Sequence, residues 1–226
     1  MVLNIATCFS QIQWQKSFGG SLSDGPGDFV LCPDGSYIML GSTSSNDGEV
    51  SGNHGGQDLW LLKFDGTGNT QWSKTFGGTA DDFGSAIYQT NDSGYVIAGY
   101  SRSSDGDLTL NKGNYDYWII KTDAAGTLLW QKSYGGTGED RTSDIIQTVE
   151  GGYIVSGFTQ TNNNGDVTGN HPYGSDYWIV KLNGNGDLEW QKCYGGSAMD
   201  GYNAPTKIIQ TSDNGYFVSG EAGSNN

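Results

Sequence analysis

Carboxylates recur at two fixed places along this chain, and their grouping is one that a hard cation would use. Asn46-Asp47-Gly48-Glu49, Ser104-Asp105-Gly106-Asp107 and Asn163-Asn164-Gly165-Asp166 are three versions of one segment. Each is followed by an Asp that opens a Trp-bearing run: Asp58, Asp116 and Asp176. The sets Asp47, Glu49 and Asp58, then Asp105, Asp107 and Asp116, then Asn164, Asp166 and Asp176 could each offer oxygens to Ca²⁺, which takes roughly six to eight of them. A second reading makes the same side chains turn caps that accept backbone N–H groups. It is the preferred one, because the segments do not match an EF-hand loop and the third has lost a charge.

A further Asp stands four residues past each Gly-Gly pair, at Asp24, Asp82, Asp140 and Asp200. It could form a ring of carboxylates near a central axis, or a hydrogen bond that stabilises one connection per repeat. The second is preferred, since an acid–base pair needs unlike environments and identical repeats supply like ones. His54 and His171 share one loop position, where the second repeat has Lys112. Without a Cys or Ser partner they form neither a catalytic nor a metal pair. No phosphate-binding loop, dinucleotide fingerprint or nucleophile elbow occurs in a fitting context. No catalytic residue is assigned, and the chain is read as non-enzymatic.

The elements that must position these residues are repeats. Trp14-Gln-Lys-Ser-Phe-Gly-Gly recurs from Trp72, Trp130 and Trp190, at spacings of 58, 58 and 60 residues. In phase with it run Asp58-Leu-Trp-Leu-Leu-Lys, Asp116-Tyr-Trp-Ile-Ile-Lys and Asp176-Tyr-Trp-Ile-Val-Lys. Each period reads as four strands, a to d. Strand a is Ser85-Ala-Ile-Tyr-Gln-Thr and its counterparts; strand b starts at Tyr37, Tyr95, Tyr153 and Tyr216; strand c is the Asp-x-Trp run; strand d carries Trp-Gln-Lys. Asp34-Gly35, Asp92-Ser-Gly, Glu150-Gly-Gly and Asp213-Asn-Gly are hairpin turns between a and b. Strands b and c are apolar at consecutive positions, so both sheet faces need cover. Copies of the same sheet supply it, which predicts an all-β, β-propeller-like stack of antiparallel four-stranded blades. The chain opens on a d strand (Ile12 to Phe18) and closes after a b strand. The expectation is three complete blades and a fourth formed from the N-terminal strand and the C-terminal strands. The seven tryptophans are then core, with sugar stacking as the lesser alternative. Lys16, Lys74, Lys132, Lys192, Lys63, Lys121 and Lys181 either lie along those rings or pair with rim carboxylates.

Composition narrows the function classes. A net charge of −14 argues against a general grip on nucleic acid or on an anionic membrane. No run of about twenty apolar residues exists to span a bilayer. Cys8, Cys32 and Cys193 occupy non-equivalent positions and form no disulfide framework; Cys32 and Cys193 read as buried small side chains. Residues 1–10 are apolar and read as the remnant of a signal peptide, with lipid attachment at Cys8 the second choice. Residues 11–226 are then the repeat domain, expected to be the N-terminal part of a longer protein.

The phrases Trp130-Gln-Lys-Ser-Tyr-Gly-Gly-Thr-Gly-Glu-Asp, Gly152-Tyr-Ile-Val-Ser-Gly and Asp176-Tyr-Trp-Ile-Val-Lys-Leu resemble a repeat family of secreted Bacteroidota proteins. The likeness covers residues 11 to about 224. It implies propeller-like blades, an extracellular or outer-surface location and, in many members, a type IX secretion sorting domain. It implies no catalytic residue. The expected function is a secreted or surface module for binding, adhesion or scaffolding, a monomer whose ligand is a glycan or protein of the matrix or cell surface. The alternatives are a fragment of a propeller-type polysaccharide hydrolase or lyase, and a structural spacer within an adhesin.

Overall fold

The computed structural model describes residues 14–172, 174–202 and 206–223. Fourteen strands and no helix are present among them. The first sheet contains β1 (Asp24–Leu31), β2 (Tyr37–Thr43), β3 (Asp58–Phe64) and β4 (Thr70–Phe76). The second contains β5 (Asp82–Gln89), β6 (Tyr95–Ser101), β7 (Asp116–Thr122) and β8 (Leu128–Tyr134). The third contains β9 (Asp140–Gln147), β10 (Tyr153–Thr159), β11 (Asp176–Leu182) and β12 (Leu188–Tyr194). Within each, the strands pair antiparallel in chain order. A two-stranded sheet follows, β13 (Lys207–Gln210) with β14 (Tyr216–Ser219). The tandem all-β architecture is therefore as the repeats require; each sheet is open, and none closes on itself.

Local chemistry explains the hairpins. The a–b turns place Gly35, Ser93, Gly151 and Asn214 at positive φ, between 64° and 87°. Where the neighbour is Asp, its carboxylate accepts the N–H two residues on, as Asp34 does from Ser36 at 2.9 Å. Alternation explains the stacking. On β7, Tyr117 and Ile119 enter the core shared with the third sheet, whereas Trp118 and Ile120 enter the core shared with the first. Both faces of one strand are thus buried, each against a neighbouring copy. Trp60, Trp118 and Trp178 are at most 1 % exposed, which makes them core residues. Each such side chain contributes about 1.5–3 kcal/mol of transfer free energy.

Two details differ from the sequence reading. The a strands begin three or four residues earlier, at Asp24, Asp82 and Asp140. A β-bulge interrupts each, between Pro26 and Asp28, between Gly84 and Ala86, and opposite Ser156 and Gly157. The bulge lets the Asp join the ladder rather than sit in the connection. Second, residues 14–20 are not a strand, and among the described residues the fourth unit contains β13 and β14 alone. Trp14 Nε1 instead donates to Gly66 O at 2.9 Å and Lys16 Nζ to Gly68 O at 3.1 Å, on the first sheet. No hydrogen bond joins this segment to β13 or β14 among the described residues. Ile12, Cys8 and the leader-like residues 1–10 lie outside the described residues.

Candidate functional site

The repeated carboxylates gather at the junctions between sheets, and strand register places them there. Asp24, Thr43 and Asp58 form one cross-strand row at the end of the first sheet; Asp82, Ser101 and Asp116 form the second, and Asp140, Thr159 and Asp176 the third. Each row adjoins the next sheet. Asp82 N donates to Gln57 O, Asp140 N to Tyr115 O and Asp200 N to Ser175 O, at 2.5, 2.7 and 2.6 Å. The head of each c strand is thereby tied to the head of the next a strand.

The connection from strand d to strand a runs through Gly-Gly and turns four successive N–H groups toward these side chains. Between the first and second sheets, Gly77 N donates to Asp107 Oδ2 (3.1 Å), Gly78 N to Asp82 Oδ2 (2.8 Å), Thr79 N to Asp105 Oδ1 (2.8 Å) and Ala80 N to Ser103 Oγ (3.1 Å). Between the second and third, Gly135, Gly136, Thr137 and Gly138 donate to Asp166, Asp140, Asn164 and Thr161 at 2.8–3.1 Å. Ahead of the first sheet, Gly19, Gly20, Ser21 and Leu22 donate to Glu49, Asp24, Asp47 and Ser45 at 2.7–3.1 Å. Hydroxyls complete the carboxylates of strand a. Thr43 donates to Asp24, Ser101 to Asp82 and Thr159 to Asp140. Buried backbone donors need such partners, and a charged acceptor strengthens each bond. The turn-cap reading of Asp47, Glu49, Asp105, Asp107, Asn164 and Asp166 thus has a specific form: they cap amides of the preceding connection, which for the last four lies across a sheet boundary.

The close fit accounts for both glycines. A Cβ on Gly78 would stand 2.3 Å from Asp105 Oδ1. A Cβ on Gly135 would stand 2.3 Å from Asp116 Oδ1 and 2.6 Å from Asp140 Oδ2. The same point brings those two carboxylates to within about 5 Å of each other, near enough to disfavour double ionisation. The pattern repeats at Gly77, between Asp58 and Asp82, and at Gly195, between Asp176 and Asp200.

Asp58, Asp116 and Asp176 are fully buried, as Asp82 and Asp140 are, and differ from them in their partners. Their Oδ2 atoms accept the backbone N–H of His54, Lys112 and His171 at 3.0, 2.7 and 3.1 Å. His54 Nδ1 lies 2.7 Å from Asp58 Oδ2, and His171 Nδ1 2.8 Å from Asp176 Oδ2. Each of the three Oδ1 atoms has no hydrogen-bond partner among the described residues. Burial is the main force on the acidities. It raises Asp82 to about 6 against the pull of the Ser101 hydroxyl, with Asp58 adding to the rise. It also raises Asp116 to about 6, helped by Asp140 and opposed by Lys112 N–H. Asp58 and Asp140 move upward for the same reason. The exposed Asp105 moves the other way because the Thr79 amide and hydroxyl bind its carboxylate.

Charge compensation differs along the stack. Lys112 Nζ forms an ion pair with Asp166 and reaches Ser133 O at 3.4 Å. His54 is shorter, and an opening of about 280 Å³ lies between it and Thr75, Lys74 and Asp107. No three His, Cys, Asp or Glu side chains converge on a common point fit for a metal among the described residues. The two histidines do have a partner that the sequence did not reveal, the buried Asp at the head of strand c. A spacing of four or five residues was the available signal, but only the folded loop turns the ring back. Lys63, Lys121, Lys132 and Lys181 pair with Asp34, Asp92, Asp187 and Glu189 at the rim. Cys32 and Cys193 are free thiols; Cys32 is buried as expected, whereas Cys193 is only half-buried, and desolvation pushes its thiol up to about 12.

No protein-family model matches this chain. An alignment 146 positions long, covering 59 % of the chain, is 26 % identical to a protein of Caulobacter vibrioides named "Regulatory protein FlaEY". The chain spans only 15 % of that protein's length, so the likeness is to a small part of a much longer molecule.

Proposed function

We propose that this chain is a non-enzymatic repeat scaffold of a secreted or outer-surface protein, presenting its rim loops to a glycan or protein ligand. The observation that carries the reading is the capping of four consecutive amides at successive junctions. The acidic side chains that looked most like chemistry are hydrogen-bonded into the frame. Loops on a rigid frame can vary in sequence without loss of the fold. The likeness to a fraction of a longer regulatory protein supports a module carried within larger chains. A glycan array and a matrix-protein binding screen, each with and without chelator, test this. Saturable binding to one class is the expected result. No ligand in any condition would put the spacer reading first, and turnover of a polysaccharide would replace the scaffold with an enzyme.

Calcium is a second reading, favoured by one observation: the unpartnered buried Oδ1 of Asp58, Asp116 and Asp176. Each lies beside a second carboxylate, as a hard cation requires. If calcium binds there, EDTA lowers the melting temperature by several degrees and Ca²⁺ restores it. An unchanged melting temperature removes calcium from the account.

A further inference from the structure

His54 and Lys112 hold the same loop position, and the loops around them are built alike. The side-chain amides of Asn53 and Asn111 donate to Thr43 O and Ser101 O, and their side-chain oxygens accept Gly55 N and Gly113 N. His54 N and Lys112 N both donate to the Asp at the head of strand c. Thr75 pairs with Trp60 across the ladder as Ser133 pairs with Trp118. Asp107 N donates to Gly77 O and Asp166 N to Gly135 O, each at 2.9 Å. The two carboxylates accept the N–H of the same glycines, each at 3.1 Å.

At the second junction the Lys112 ammonium bonds Asp166 Oδ2 and reaches Ser133 O at 3.4 Å. At the first junction the counterparts of those two acceptors are Asp107 Oδ2 and Thr75 O, held by the same backbone bonds. The imidazole of His54 is turned instead to Asp58, and no hydrogen bond joins it to Asp107 or Thr75 among the described residues. His54, Asp107 and Thr75 line the opening of about 280 Å³ together. With the Nδ1 hydrogen donated to Asp58, Nε2 of His54 is an acceptor as well. Lys74 also lines the opening, but its Cγ stands 3.2 Å from where a Cβ on Gly126 would be, on the c–d turn of the next sheet. Its counterpart Lys132 reaches Asp187 of the corresponding turn.

We propose that the opening beside His54 binds the primary ammonium end of an alkylamine, either a free amine or the lysine side chain of a partner protein, in the place that Lys112 fills for itself one junction later. An alkylammonium has three N–H donors. The opening answers them with the Asp107 carboxylate, the Thr75 carbonyl and the His54 ring. A hard dication fits less well: it takes roughly six to eight oxygens, and Asp107 is the one carboxylate in the wall. A net charge of −14 draws cationic ligands to the surface. The inference does not depend on the scaffold reading, because it rests on the likeness of two junctions within one chain.

The test follows the amide resonances of Gly77 and Asp107 and the ring resonances of His54 in the whole chain, at constant ionic strength. The probes are n-butylammonium, for a free amine, and Nα-acetyl-lysine methylamide, for a lysine side chain. Butyltrimethylammonium, which has no N–H, is the control. The expected result is a saturable shift with at least one of the two amines and none with the control. A shift with the lysine probe assigns the site to a partner's lysine; a shift with butylammonium alone assigns it to a free amine. Asp107→Asn keeps an acceptor for Gly77 N and is expected to weaken binding by roughly fivefold. His54→Lys supplies the ammonium from the chain itself and is expected to abolish binding. No saturation with either amine overturns the proposal, as does an equal response to the control or unaltered binding by folded His54→Lys protein. If His54→Lys does not fold, unaltered binding by Asp107→Asn overturns it.

Discussion

The junction between the first and second sheets and the one between the second and third cap the same four backbone amides but carry different charges. The first holds Asp58, Asp82, Asp105 and Asp107 with His54 beside them. The next holds Asp116, Asp140 and Asp166, with Asn164 in the place of Asp105 and Lys112 in the place of His54. Thr137 N finds an acceptor in Asn164 at 2.8 Å, just as Thr79 N does in Asp105. The frame therefore selects for an acceptor oxygen at that point rather than for a charge. Where more carboxylates are gathered, electrostatic cost has to be met by protonation or by a neighbouring cation.

The largest expected effect comes from filling the space between facing carboxylates. Gly135→Ala should cost on the order of 3 kcal/mol and Gly77→Ala somewhat less, because the new Cβ meets carboxylate oxygens at 2.3 Å and 2.7 Å respectively. Gly25→Ala, with nothing within 4 Å, is the control and should be close to neutral. Urea unfolding of the three variants checks the order; equal costs would break the account of the Gly-Gly pairs.

Acidity comes next. Asp82 and Asp116 are raised to about 6 from the ordinary 3.8, so between those values the folded state binds more protons than the unfolded one. Stability should therefore rise as pH falls from 7 to about 4.5, by on the order of 1 kcal/mol per group after allowance for solvent screening. It should fall again at lower pH, because turn carboxylates such as Asp34, held down to about 2 by the Ser36 hydroxyl, lose their hydrogen-bonded charge as they protonate. Denaturant midpoints from pH 3 to 8 show whether a maximum exists on the acid side of neutrality. A maximum at or above pH 7 contradicts the raised acidities.

Smaller effects sharpen the contrast between the two junctions. Lys112→Ala should destabilise by about 1 kcal/mol at pH 7, and by less at pH 5, as Asp116 becomes protonated. His54→Lys should stabilise by about 0.5 kcal/mol at pH 7, placing an ammonium beside Asp107 as Lys112 places one beside Asp166. A loss of stability in this variant would show that the opening beside His54 does not accept the longer side chain.

Much of the fold was legible in the residues, and the reasons are local. Periods of 58–60 residues, turn pairs such as Asp34-Gly35, and runs such as Tyr117-Trp-Ile-Ile carry their own geometry. Two places were less legible. The a strands reach back to Asp24, Asp82 and Asp140 through bulges that no residue pattern announced. Residues 14–20 have a strand-like sequence but pair with no strand among the described residues, and a strand is defined by its partner. The site was half legible: the acidic residues stood out by recurrence, while their acceptor role did not.

Sequence alone determined that this chain folds as stacked copies of one β unit, because alternation, turn chemistry and apolar runs act over a few residues. Tertiary structure decided what the aspartates do. At the two junctions between sheets, three of the four capped amides lie 23–31 residues from their acceptors in the loop after strand b, and only the packing of one sheet on the next brings them within 3 Å or so. Hydrogen bonding acts at short range in space regardless of distance along the chain, so the same carboxylates could have been cation ligands until the neighbouring sheet supplied the donors.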